Sequence, residues 1–195
     1  MNEHDTDVRF SRYLEQLLLL TGKKPTEVRE IAPAKPEGGR VRAVVHADTP
    51  EPGYVTGFSY GLSLVRHPNW MSNVRELVIT VRSDDIGWAS VPAETAAALR
   101  GICAYAHGQA IGYMKPYVES SEMSSIVVAD PAVRWSSGPI DLGPAGIDQT
   151  GRDLVDLVGV YPVYASERDF VYAKGFDALW RLEWDRLDPL RLPVA

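Results

Sequence analysis

Residues 54–65 read YVTGFSYGLSLV, and within them GFSYG at 57–61 satisfies G-x-S-x-G, the letters of the serine nucleophile elbow. An elbow requires a strand, a sharp turn at Ser59 and then a helix. Here Tyr54, Thr56, Phe58, Tyr60, Leu62 and Leu64 alternate with Val55, Gly57, Ser59, Gly61, Ser63 and Val65, and nothing interrupts the pattern before His67-Pro68. All of the first set except Thr56 are large and apolar, whereas none of the second set is large. That is the alternation of a strand with one face on a core and the other closely approached. A helix starting at Ser59 would carry Gly61 early and meet Pro68 soon after, at about 3 kcal/mol for the proline. The only histidines that follow, His67 and His107, lie well before the C-terminal region where such hydrolases place their base. The stretch therefore reads as a strand, and a small serine hydrolase built on Ser59 stays as the minor enzymatic alternative.

The chain has 195 residues, 45% hydrophobic and 24% charged, which predicts one globular domain over 1–195. Its net charge of −6 argues against non-specific nucleic-acid or membrane binding. An acidic surface suits a basic partner, and equally it keeps a protein in solution. Cys103 stands alone, so no intrachain disulfide can form, and its Ala-rich surroundings predict a buried thiol. His4, His46, His67 and His107 are scattered without zinc-ligand spacing. No phosphate-loop, dinucleotide or H-E-x-x-H motif occurs, so no cofactor and no metal is expected, and a small-molecule substrate is not favoured. The N-terminus MNEHDTDVRF is acidic, unlike the basic start of a signal peptide, and LLLL at 17–20 is too short to span a bilayer. Cytoplasmic residence is the expectation by default.

Outward from the quoted stretch, the periodicities predict further elements. A helix over about 8–21 carries Phe10, Tyr13, Leu14, Leu17 and Leu18 on one face, with Asp7 as its cap and Gly22 as its exit. Residues 23–40, with three prolines and two glycines, read as a connector. Strands are expected at 41–47 and 75–82, the latter reached through a long hairpin loop. A second helix should run from Pro92 to about Ala106, tolerating Gly101 at about 1 kcal/mol. A strand at 124–131, an irregular excursion at 134–153 and a near-continuous apolar strand at 154–163 follow, the last expected to be central. A helical region over 165–187 should start at Ser166 with Asp169 in a capping box and carry Leu179, Trp180, Leu182 and Trp184 inward.

This order of elements resembles the suppressor-of-fused-like (SUFU) domain family in its compact bacterial form. The likeness is carried by YVTGFSYGLSLV, by RELVITVR with Trp88 beyond it, and by LVDLVGVYPVYASERDFVYAKGFDALWRL, together spanning 50–187. The resemblance implies an α+β fold, a mainly antiparallel mixed sheet flanked by helices, with no catalytic residues to carry over. It also implies a protein-binding role. The bacterial members look like immunity proteins that bind and silence a cognate toxin domain, and the animal members capture an extended peptide by strand addition. An adaptor that binds a peptide along a sheet edge is the second binding reading.

Five residues are candidates for contact with a partner protein, with a basic toxin domain as the concrete case. His67 and Trp70 fall on the loop between two strands, where a tryptophan either anchors an interface or folds back on the core. Trp135, beside Arg134, has the same two readings. Asp84 and Asp85 follow a strand, where a solvated turn or an acidic rim is expected rather than a catalytic pair.

Overall fold

The computed structural model describes residues 3–135, 138–144 and 151–195. Helix α1 (Glu3–Thr21) begins earlier than its apolar stripe and ends at Gly22, whose N–H donates to Leu18 O at 2.9 Å with φ at +69°. Tyr13 and Leu17 are fully buried, and Phe10, Leu14 and Leu20 pack beside them; Leu18, expected on this face, is exposed. Asp7 lies within the helix, not at its cap, and accepts from Arg42 Nη2 at 3.1 Å.

The segment expected to be a connector holds a strand, β1 (Glu27–Ile31), paired antiparallel with β2 (Val41–Ala47) from Glu27↔Val45 to Ile31↔Val41. Its charged sequence, EVREI, suits an edge strand, where charge discourages pairing with other chains. From β2 the chain meanders through β3 (Tyr54–Tyr60) and β4 (Val74–Arg82), each antiparallel to the one before. β3 stops short of the alternating pattern. Gly61 takes φ at +117°, a backbone conformation that side-chain-bearing residues rarely adopt, and Leu62–Leu64 form a 3-10 turn.

Helix α2 (Val91–Leu99) follows a 3-10 turn at Ile86–Ser90 and is shorter than expected. Arg100 leaves it with extended ψ and Gly101 turns at φ +75°, so the glycine ends the helix and is not tolerated inside it. Beyond lie β5 (Ala110–Gly112), β6 (Ser125–Ala129), β7 (Ile140–Pro144) and β8 (Arg152–Val163). Thus part of the expected 134–153 excursion is strand, while 136–137 and 145–150 lie outside the described residues. α3 (Ala165–Lys174) and α4 (Phe176–Trp180) are separated by Gly175 at φ +87°, where one helical region was expected. The start of α3 is set not by Ser166 and Asp169 but by Glu167, whose carboxylate accepts from Tyr164 N at 2.9 Å.

The strands form one mixed sheet in the order β1-β2-β3-β4-β8-β6-β5, with β7 also on β8. Every described pairing is antiparallel except β4 with β8, from Val74↔Val155 to Val78↔Gly159. One face packs under α2 and the 3-10 turn before it, burying Val45, Leu77, Ile79, Trp88, Ala96 and Ile126 among others. The approach is close at Gly57, where an added Cβ would lie 2.1 Å from Ala89 O. That contact explains why the second face of β3 carries no large residue. The opposite face has two covers: α1 over Val44, Phe58 and Val155, and α3, α4 and the C-terminal segment over Val127, Tyr161 and Val163.

Candidate functional site

The hydroxyl of Ser59 is fully buried, donates to Glu76 Oε2 at 2.5 Å and accepts from Leu77 N at 2.8 Å. The other oxygen of Glu76 accepts from Gly61 N at 2.8 Å, Ser63 N at 3.0 Å and Ser63 Oγ at 2.6 Å. A buried carboxylate needs such a set of donors. The letters G-x-S-x-G therefore serve a structural purpose: the serine and the turn after it wrap a carboxylate from the next strand. Arg100, also buried, completes the arrangement by donating to the carbonyls of Gly61, Gly39 and Lys35 at 2.9, 2.9 and 3.1 Å. Ser59 has no route to a substrate in this geometry.

A different feature faces solvent. Val155 pairs with both Val74 and Ile140, and Gly159 with both Val78 and Ala129, so β6 and β7 share the edge of β8 that faces away from β4. β7 ends its pairing at Val155 and β6 begins at Gly159. Among the described residues no strand pairs with Asp156, Leu157 or Val158 on that edge. The chain leaving β6 arches away there, and its path fixes Gly159, where a Cβ would fall 2.5 Å from Asp130 O. A cleft of about 520 Å³ opens at the gap, with Arg75, Tyr105, His107, Asp130, Arg134 and Trp135 among its walls.

The walls are held from behind. Arg75 donates to Ala104 O at 2.9 Å and Tyr105 O at 2.8 Å, and Trp70 Nε1 donates to the same Ala104 O at 2.8 Å. Tyr105, with φ at +51°, anchors its phenol on Thr95 O at 3.0 Å, and burial pushes that phenol's pKa up. Asp156 accepts from Asn73 Nδ2 at 3.0 Å. His107 Nδ1 stands 3.9 Å from Asp130 Oδ1, and Arg134 is exposed with no ion pair among the described residues. Trp135 is half-buried edge-on to Phe58 at 5.8 Å, and its buried indole N–H has no hydrogen-bond partner among the described residues. Charged groups of both signs and the apolar Ala129, Pro131, Trp135, Leu157 and Val158 thus line a cleft beside a short run of strand backbone. That arrangement suits a peptide segment better than a reacting small molecule.

Of the five residues singled out in the sequence, His67, Trp70 and Trp135 lie at this end of the sheet. Trp135 lines the cleft; Trp70 is only 3% exposed and supports its wall; His67 is half-buried, with Nε2 3.3 Å from Ile102 O. Asp84 and Asp85 are at the far end of β4, roughly 30 Å away at about 3.3 Å per strand residue. Asp84 is exposed, whereas Asp85 caps the 3-10 turn through Gly87 N at 2.8 Å and accepts from Ser120 Oγ at 2.9 Å. Arg75, Tyr105, His107, Asp130 and Asp156 were not singled out. Asp156 had a signal: a charge inside the apolar run LVDLVGV marks the place where a central strand has an open edge.

The fold is that of an α+β module whose one mixed sheet opens a cleft at a break in its central pairing. The chain belongs to the suppressor of fused protein (SUFU) family, whose model matches residues 39–192. Among solved structures, it is similar to a putative SUFU homologue from Neisseria gonorrhoeae, at 13% identity over 95% of this chain and 96% of that one, with a TM-score of 0.64. The Sufu–Fu complex matches at 13% identity over 93% and 90%, with a TM-score of 0.60. Drosophila Suppressor of Fused matches at 14% identity over 95% of this chain and 51% of its own, with a TM-score of 0.58. Among curated protein sequences, none matches. No described helix is long and apolar enough to cross a membrane.

Proposed function

We propose that this chain is a non-catalytic protein-binding module that acts in the cytoplasm by neutralising another protein, a toxin domain with a basic surface. The binding reading rests chiefly on the break at Asp156–Val158, where strand backbone meets a cleft with a charged rim. Membership of a family with a member solved as the Sufu–Fu complex supports it, and the net charge of −6 favours a basic partner. Co-expression with the polypeptide encoded immediately upstream, followed by affinity purification and a growth assay, tests the proposal. A stable complex and growth rescued only when this chain is present are expected. A toxic neighbour that neither binds nor is silenced would refute the neutralising role.

The three-residue gap also favours a second reading, an adaptor for a linear peptide. A peptide array would then yield short extended ligands whose binding falls at least tenfold in Arg134→Glu. A partner that binds only when folded would exclude that reading.

A further inference from the structure

Because β4 and β8 are parallel, both finish at the same end of the sheet, opposite the cleft. Three segments meet there. The turn after β4 is joined to the loop between β5 and β6 by Ser120 Oγ on Asp85 Oδ2 at 2.9 Å. That loop is joined to the C-terminal segment by Ser121 Oγ on Pro189 O at 3.1 Å. The C-terminal segment is in turn clamped to α3: Arg191 donates to both oxygens of the fully buried Glu167, at 2.6 and 2.7 Å, and Val194 N donates to Oε1 at 2.9 Å. These hydrogen bonds tie together the segments that carry the surface residues.

Those surface residues are of two kinds. Met114 is fully exposed, Leu190 and Leu192 are 67% and 82% exposed, and Tyr113 is held by stacking on Tyr117 at 5.6 Å. Around them stand Asp84, Glu119 and Glu122, all exposed and with no ion pair among the described residues. Of the cations nearby, Arg82 pairs with Asp185 and Arg191 with Glu167, while Lys115 is exposed. Exposed apolar side chains on an ordered surface mark an interaction site, and unpaired carboxylates around them select the sign of the partner's rim.

We propose that this end is a docking surface for a folded protein domain with an apolar centre and a basic rim. It is separate from the cleft, and it rests on the protein-binding reading above. The probe is the upstream-encoded polypeptide. Its affinity is measured at two salt concentrations against wild type, against an end variant (Asp84→Asn, Glu119→Gln, Glu122→Gln, Leu192→Ser) and against a cleft variant (Arg134→Glu).

At least tenfold weaker binding to the end variant, with a flatter salt dependence, is the expected result, with or without a loss in the cleft variant. Loss in the cleft variant alone would overturn this inference and leave the protein-binding reading standing. Should the probe bind neither form, that reading fails for this partner, and a displayed library of small folded domains decides the surface question. Selected clones should be rich in Lys and Arg and lose binding to the end variant; clones that map elsewhere, or no clones, would overturn it. Circular dichroism of each variant guards against unfolding as the cause.

Discussion

Two buried polar side chains set what single residues contribute. Glu76→Ala leaves the N–H groups of Gly61 and Ser63 without acceptors in a dry interior, and each orphaned donor costs about 1–3 kcal/mol. A loss of about 4 kcal/mol in urea denaturation is expected, against about 2 kcal/mol for Ser59→Ala, which orphans Leu77 N; equal effects would show that the carboxylate is not the organising centre. His46 is 1% exposed, neither ring nitrogen has a hydrogen-bond partner among the described residues, and burial, helped by Lys23, lowers its pKa from 6.5 to about 4. The unfolded chain therefore binds a proton below pH 6.5 that the folded chain refuses until about pH 4. Stability falls across that window by about 3 kcal/mol, and His46→Leu flattens this part of the profile. A profile unchanged by the substitution would place the acid sensitivity elsewhere. The sequence announced Ser59 as a strand residue, but its partner is seventeen positions along the chain, and no local pattern connects the two.

Elements were legible where their signal is local. The strand at 41–47, the strand at 74–82 and the helix ending at Gly22 follow from periodicity and a terminal glycine. β1, β5 and β7 leave no such signal because they are short, and tertiary pairing holds them, not propensity: EVREI becomes a strand only because β2 offers its edge. The second helix is shorter than its alanine-rich composition suggests because Gly101 supplies the turn that ends it. Between elements, the closest approach is that of β3 to the 3-10 turn at Ala89. Gly57→Ala puts a methyl group against backbone, which no rotamer change can relieve, so about 3 kcal/mol is expected to be lost. The melting temperature should fall by roughly 10 °C for a chain of this size, and an unchanged value would mean that the turn moves freely.

At the scale of the molecule, the sheet has two unlike ends. One carries the cleft with Arg75, His107 and Arg134; the other carries Met114, Leu190 and Leu192 near the exposed carboxylates of Asp84, Glu119 and Glu122. The sequence placed Trp135 and the Asp84-Asp85 pair among partner candidates without showing that they lie at opposite ends, because that depends on the direction of β8 relative to β4. The same pair has a consequence for how the chain must assemble. β1 to β4 join neighbours in sequence and can form over short loops, whereas Val74 finds Val155 only after α2, β5, β6 and β7 have been traversed. Closing so long a loop is entropically costly and slow. During synthesis the open side of β4 therefore waits, unpaired and apolar, until β8 has left the ribosome.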